Sequence, residues 1–321
     1  MTSMNFLITG GSGYLGSHLT EELISNGNRV VVFDNFSGSL VTKNFNGSSI
    51  IEGSITDKFD FEKVSKFGPY DGIFHLAAKK SVSESLHFPD RYIETNILGS
   101  ENILKFAHRN NVKNIVFTSS AAVYGGPDVD VISESQALRP LNPYGETKVA
   151  AESLFERASQ QESISAVSLR TFNMGGANNN NYFDKRGENV IPKILNSVFG
   201  GTSFKIFGNT YPTYDGTCVR DYIHVSDVAK AHIAAMEYLS ANSLGTYSVL
   251  NVSSNKGTSV VELFQKINEI SGRKASFQFA DTRPGDPAYS VGSNEAAIKL
   301  LKWKPTKSLN QILIESIRAY A

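Results

Sequence analysis

Tyr144 and Lys148 stand four residues apart in Tyr144-Gly145-Glu146-Thr147-Lys148. At the start of a helix that spacing sets both side chains on one face, one turn from each other. A free phenol has a pKa of about 10, so tyrosine works as a base near neutrality only where something favours its phenolate, and a nearby ammonium does. Lys148 is placed to supply that charge. Alone, the pair is better read as a half-buried turn residue after Pro143 and a solvated helix lysine. Two other groups change that reading. One is a glycine pattern at the start of the chain; the other is Thr118-Ser119-Ser120, at the end of an apolar run. Ser120 is placed to hydrogen-bond a substrate hydroxyl or a ketone oxygen, with Ser119 as the competing choice. The bland alternative for either is a satisfied strand-end hydroxyl.

The elements that must position these groups follow from the chain in order. Phe6-Leu7-Ile8-Thr9 is a short apolar strand leading into Gly10-Gly11-Ser12-Gly13-Tyr14-Leu15-Gly16, then a helical stretch from Ser17 to Asn26 and a strand from Arg29 to Phe33. Glycines at 10, 13 and 16 permit a sharp turn, close approach to a pyrophosphate and tight helix packing, while the helix N-terminus attracts negative charge. Asp34, some eighteen residues after Gly16, suits a carboxylate that accepts from a ribose 2′-OH and repels the extra phosphate of NADP. NAD is therefore the expected cofactor.

Further strands at Ser49 to Glu52, Gly72 to Ala78 and Asn114 to Thr118, with a long helix predicted from Tyr92 to Asn110, alternate at βα spacing. The pattern predicts an α/β fold with a Rossmann-type, doubly wound parallel sheet. Ala77-Ala78 would let backbone approach the cofactor, and Lys80 reads either as a phosphate contact or as a surface lysine. Asn96 lies inside the predicted helix, where asparagine is an indifferent former; a buried polar contact and an exposed face are equally good readings. The helix that begins at Tyr144 is expected to end near Gln160, and a strand follows from Ala166 to Phe172.

Gly175-Gly176-Ala177-Asn178-Asn179-Asn180-Asn181 then reads as a long polar loop and the domain transition. The expected division is a cofactor domain over 1–172, with a return segment near 219–251, and a smaller substrate domain made mainly of 173–321. The return is expected at Val219 to Val225, ahead of a helix start at Ser226-Asp227. Arg220 and Arg283 are candidates to clamp a diphosphate, or else ordinary surface ion-pair residues.

The 321 residues are enough for one large domain with a smaller appended one. Thirty-one basic and thirty-one acidic residues balance to a net charge of +0, which gives no reason to expect nucleic acid or an anionic membrane as partner. One cysteine, Cys218, rules out an internal disulfide and a multi-cysteine metal site, which fits a reducing, cytoplasmic setting. Met1-Thr2-Ser3-Met4 runs straight into an apolar strand, and no window has membrane-spanning length, so a soluble protein is expected.

The glycines, the serine cluster and the Tyr-Lys pair together resemble the extended short-chain dehydrogenase/reductase superfamily. Within it, nearly the whole chain resembles the UDP-glucose (UDP-galactose) 4-epimerase family. The diagnostic stretch is Ile206-Phe207-Gly208-Asn209-Thr210-Tyr211-Pro212-Thr213-Tyr214-Asp215-Gly216-Thr217-Cys218-Val219-Arg220-Asp221-Tyr222-Ile223-His224-Val225, supported by Arg283-Pro284-Gly285-Asp286. The resemblance implies an isomerase in which Tyr144 takes the O4 proton of a UDP-sugar, Lys148 lowers the Tyr144 pKa, and Ser120 assists at O4. It implies that NAD is held by Gly10, Gly13, Tyr14, Leu15, Gly16, Asp34, Asn35, Ser54, Ile55, Leu76, Ala77, Ala78, Lys80, Asn96, Ser119, Tyr144, Lys148 and Phe172. For the UDP-sugar it implies Lys80, Ser120, Tyr144, Asn173, Asn189, Val190, Lys205, Ile206, Phe207, Arg220, Tyr222, Arg283, Asp286 and Ser290. No metal is implied, and a homodimer is.

Three positions depart from the family pattern. Ser54 stands where an Asp usually contacts adenine, Thr171 replaces a frequent Tyr, and Ala122 replaces a frequent Thr. Related 4,6-dehydratases and decarboxylases carry acidic residues after the strand-end serine. Ala121 and Ala122 stand there in this chain, and alanine cannot serve as acid or base. A non-catalytic NAD-binding sensor would typically have lost Tyr144 or Lys148. Four residues after Asp286, Ser290 falls where the family gates its sugar pocket, which implies room for an N-acetyl group. A register one residue off would put Tyr289 there instead.

Overall fold

The computed structural model describes residues 3–38, 45, 47–161, 164–177, 182–184, 189–283 and 286–321. Its centre is a run of parallel strands whose residues alternate between two buried faces. In β1 (Asn5–Thr9) all five residues are buried: Phe6 and Ile8 point to one core, Leu7 to the other. β2 (Arg29–Asp34), β3 (Ser48–Glu52), β4 (Gly72–His75), β5 (Asn114–Ser120) and β6 (Ser165–Thr171) follow. Beyond β7 (Asn173–Gly175), β8 (Phe204–Phe207) and β9 (Val219–His224), β10 (Tyr247–Val252) completes a seven-stranded sheet in the order β10-β6-β5-β4-β1-β2-β3. Every pairing is parallel, with Ile8 beside Val32 on one flank and Phe74 on the other.

On one face Phe6, Ile8, Val32 and Phe74 pack with Leu19 and Leu23 of the Tyr14–Ser25 helix and Val228 and Ala235 of the Val225–Ala241 helix. On the other, Leu7, Val31, Ile73 and Ile115 meet Ile103 and Phe106 of the Gly99–Arg109 helix and Ala151 and Phe155 of the Pro143–Gln161 helix. The strand order reverses between β1 and β4, so a crevice opens above their carboxyl ends.

A smaller body stands over that crevice. β9 pairs with β7, with β11 (Gly257–Ser259) and with β13 (Tyr289–Ser290), while β8 pairs with β12 (Phe277–Ala280). Its own core gathers Ile191, Leu195, Ile206, Tyr222, Phe264 and Ile312.

Two elements differ from the sequence reading. The stretch from Tyr92 to Asn110 is not one α-helix: it runs as a short helix, Pro89–Tyr92, a π-helical segment, Ile93–Leu98, and the Gly99–Arg109 helix. The widened turn carries Asn96, whose amide turns inward and bonds neighbouring elements. The Val219–His224 strand lies in the smaller sheet, because the edge of the large sheet beyond β6 is taken by β10. The return to the large sheet is made by the Val225–Ala241 helix and β10. Asn178 to Asn181, read as part of the transition loop, lie outside the described residues.

Candidate active site

The glycine turn is shaped by backbone contact. Gly10 has φ +71° and a Cβ there would stand 2.7 Å from the Ala77 amide nitrogen; a Cβ on Gly16 would stand 2.1 Å from the Gly10 carbonyl oxygen. Gly13 caps the Tyr14–Ser25 helix without any side-chain bond, and the first turn holds no acidic residue, so its amide groups are left for an anion. At the end of β2, Asp34 accepts from the Ser12 amide at 2.9 Å and the Phe36 amide at 2.8 Å, which fixes its carboxylate over the crevice. A bare backbone cradle beside an oriented carboxylate fits a dinucleotide. The Tyr14 hydroxyl donates to the Gly176 carbonyl, bracing the turn against the chain after β7.

Above β5 the reacting groups meet. Ser120 lies beside the Tyr144 phenol, its own hydroxyl accepting from the Ala122 amide at 3.2 Å. Lys148 Nζ donates to the Thr118 carbonyl at 2.8 Å, lies 4.7 Å from the Phe117 ring centroid and 5.9 Å from that of Tyr144. Burial pushes the Tyr144 phenol up, with the Ser120 hydroxyl opposing it. Burial likewise pushes the Lys148 ammonium down to about 7, against the pull of Glu152. Burial therefore decides the direction at Tyr144, and Ser120, not the Lys148 expected from the sequence, is the group that opposes it. Ser119, the competing serine, donates its hydroxyl to Glu152 at 2.5 Å, which leaves Ser120 as the one facing the phenol.

One cleft of ≈ 610 Å³ joins the two bodies. Of the expected cofactor residues its lining brings together Gly10, Gly13, Tyr14, Leu15, Gly16, Asp34, Asn35, Ser54, Ile55, Leu76, Ala77, Ala78, Lys80, Ser119, Tyr144, Lys148 and Phe172. Of the expected substrate residues it brings together Lys80, Ser120, Tyr144, Asn173, Asn189, Arg220, Asp286 and Ser290. Arg220 is held by the Pro287 carbonyl at 2.8 Å and faces Asp286 at 3.7 Å. Lys80 reaches Asp184 at 3.4 Å. Ser290 lines the cleft and Tyr289 does not.

Seven expected residues lie outside the lining, each for a local reason. Asn96 is buried and bonds the Lys79 backbone at 2.8 and 3.0 Å and Thr147 at 3.0 Å, which decides between its two readings in favour of a polar contact. Val190 opens the Val190–Gly200 helix and packs against the smaller core; Ile206 and Tyr222 are buried in that core. Lys205 points to solvent on β8. The guanidinium of Arg283 stacks 3.6 Å from the Phe207 ring centroid, which covers Phe207 and keeps Arg283 off the cleft. Pro284 and Gly285 lie outside the described residues.

The three departures are accommodated locally. Ser54 lines the cleft, its hydroxyl paired with Thr56 at 2.8 Å and its amide donating to Asp60 at 2.9 Å. The Thr171 hydroxyl donates to the Ser119 carbonyl at 3.1 Å, and Ala122 sits in a 3-10 turn spanning Ala121–Tyr124.

Two residues the sequence reading passed over lie beneath the site. Glu152 and Arg170 form a buried ion pair at 2.6 Å. A signal existed for both: Glu152 is four residues after Lys148 on the same helical face, and Arg170 is a charge inside an otherwise uncharged strand. Among the described residues no group of three His, Cys, Asp or Glu could hold a metal, and no helix is long and apolar enough to cross a membrane.

The NAD dependent epimerase/dehydratase family matches residues 6–252. A UDP-glucose 4-epimerase of Halalkalibacterium halodurans is 37% identical over 320 residues, which cover 97% of this chain and 94% of that protein. A UDP-glucose 4-epimerase from Stenotrophomonas maltophila, solved with bound NAD and formylated UDP-arabinopyranose, superposes with a TM-score of 0.92 at 32% identity, covering 99% and 98% of the two chains. A UDP-N-acetylglucosamine 4-epimerase from Methanobrevibacter ruminantium, in complex with UDP-N-acetylmuramic acid, superposes with a TM-score of 0.88 at 30% identity, covering 100% and 99%.

Proposed function

Since the chain belongs to the NAD dependent epimerase/dehydratase family, we propose that it interconverts UDP-glucose and UDP-galactose by inverting sugar C4 through a transient 4-keto sugar. One observation carries the reading: Ser120, Tyr144 and Lys148 line a single cleft together with the glycine turn and Asp34 of the large sheet and with Arg220 and Asp286 of the smaller body. The glycine turn would hold the pyrophosphate of NAD and Asp34 its ribose. When bound, NAD supplies reversible hydride acceptance at the sugar carbon.

The chain's own groups do the rest. Tyr144 takes the O4 proton, with Ser120 bonded to the same oxygens, and gives the proton back after the keto sugar has turned over. Lys148, as the ammonium, favours the phenolate against the burial that disfavours it. Arg220, with Asp286 and Asn173 nearby, holds the UDP while the sugar turns. In this division of labour the large sheet serves the cofactor and the body built mainly from 173–321 serves the UDP-sugar. Ala121 and Ala122 offer no acid or base for dehydration, which disfavours dehydratase or decarboxylase chemistry.

Ser290 in the lining, with Tyr289 outside it, supports acceptance of N-acetylated sugars as well. A cytoplasmic homodimer belongs to the same reading. Exposed Leu86, Ile93 and Leu98, on segments packed against the Pro143–Gln161 helix, offer an apolar surface for a second copy. Proton NMR of the protein with NAD and, separately, UDP-glucose and UDP-N-acetylglucosamine tests the proposal through the anomeric signals. Galacto product from both sugars is expected. Product from UDP-glucose alone removes the wider specificity, and none from either overturns the assignment.

A further inference from the structure

The Glu152–Arg170 pair has no part in the reaction described above, yet it is enclosed in the protein with both side chains 5% exposed. Its geometry is a fork: Arg170 Nη2 donates to Glu152 Oε2 at 2.6 Å and Nε to Oε1 at 2.9 Å. A buried pair of this kind adds little stability over apolar residues of similar volume. Its use must lie in what else it holds.

It holds both ends of the segment that presents Ser120. On the N-terminal side, Ser119 donates its hydroxyl to Glu152 Oε1 at 2.5 Å. On the C-terminal side, Tyr124 closes the Ala121–Tyr124 turn, and its phenol accepts from Arg170 Nη1 at 2.9 Å while donating to Asn251 at 2.7 Å. Ser120 is thus suspended between two residues tied to one ion pair. Glu152 also belongs to the Pro143–Gln161 helix, one turn beyond Lys148 and two beyond Tyr144, on the same face. Ser120 and Tyr144, which line the same cleft, therefore sit on two elements that the pair clamps together.

We propose that Glu152 and Arg170 are positioning residues that hold the Ser120 strand end against the Tyr144 helix, with Glu152 as the fixed counter-charge of Lys148. This rests on the epimerase reading of the site. The surroundings of Lys148 leave Glu152 as the deciding charge. From β5 it meets the Thr118 carbonyl and the Phe117 ring. His75 on β4 is pushed down to about 3 by burial and by Lys148 itself, so it is neutral. Tyr144 is pushed up by burial and brings no charge of its own. Arg170 on β6 spends its charge on Glu152. Glu152 alone opposes the burial of the ammonium.

The test is steady-state epimerisation of UDP-glucose by the NAD-bound protein, as wild type, Glu152→Gln, Ser119→Ala and Tyr124→Phe, with kcat followed across pH. Glu152→Gln is expected to lower kcat about tenfold or more at a KM within about twofold, because misplacing a reacting group costs rate rather than binding. Its alkaline limb moves to lower pH, since Lys148 without the carboxylate loses its proton earlier. Ser119→Ala and Tyr124→Phe each remove one tether and no charge, and are expected to lower kcat by about threefold with the limb unmoved. A Glu152→Gln protein with wild-type kcat and an unmoved limb, only melting earlier, would make the pair structural and sink the proposal. Should Glu152→Gln not fold, the two hydroxyl deletions decide: lower kcat at unchanged KM supports it, and wild-type kcat in both overturns it. Wild type that turns over UDP-glucose while the variants match it refutes the positioning role alone. Wild type that does not turn over refutes the epimerase reading beneath it.

Discussion

The two ends of the cleft are built to different rules. Where chemistry is placed, Lys148, Ser119, Glu152 and Arg170 are buried, and each is bonded to neighbours supplied by the core. At the proposed diphosphate end, Arg220 and Asp286 are 15% and 38% exposed and 3.7 Å apart. Ser120 and Tyr144 are themselves half-buried, but the groups beneath them are fixed by folding itself. Arg220 Nη1 is held by the Pro287 carbonyl, while its Nη2 keeps only a long contact to Asp286 that ligand oxygens can replace at low cost.

That contrast predicts a clean separation of effects. Tyr144→Phe should have the largest, cutting turnover by about a thousandfold through loss of the base, while UDP and NAD affinities measured by calorimetry stay near wild type. A matching loss of UDP affinity would mean that the two ends are not independent. Arg220→Ala should come next, raising KM for UDP-glucose by about tenfold or more through a lost charged hydrogen bond, with kcat little changed. A fall in kcat alone would move Arg220 to the chemical end.

Ser290→Tyr should lower turnover of UDP-N-acetylglucosamine by about tenfold relative to UDP-glucose, the scale on which pocket volume discriminates. Equal loss on both sugars would remove Ser290 as a gate. The smallest effect concerns pH. In NAD-free protein the Lys148 ammonium is lowered from 10.5 to about 7 by burial. Between those values the unfolded chain binds more protons, so the contribution of Lys148 to stability rises with pH across the window and is least favourable below it. Chemical denaturation of wild type and Lys148→Met should show wild type gaining on the variant from pH 7 to 10; a constant gap would contradict the burial cost.

The chemical end was legible because its parts are local. A turn that tolerates no Cβ at Gly10 or Gly16 demands glycine, and a helix face demands the spacing of Tyr144 and Lys148. The parallel sheet followed from βα alternation in the same way, though not its seventh strand, Tyr247–Val252. The helix break at Ile93–Leu98 did not, because the inward turn of Asn96 is decided by Lys79 and Thr147, far from it in sequence. The place of the Val219–His224 strand in the smaller sheet, where a return to the large domain is expected from sequence, is hidden for a like reason: its partners come from three separate segments. Resemblance named the recognition residues, but it could not show that Phe207 lies under Arg283 or that Tyr222 is core.

The central claim is that one cleft removes hydrogen from C4 and returns it to the same carbon. UDP-glucose deuterated at C4, incubated with the NAD-bound protein in ordinary water, tests this directly by NMR of the product. UDP-galactose that keeps its deuterium at C4 is the expected result, since the label is held in the cleft and returned. UDP-galactose with hydrogen from solvent at C4 would contradict it, and would require a proton-transfer route to inversion that Tyr144, Ser120 and Lys148 do not provide.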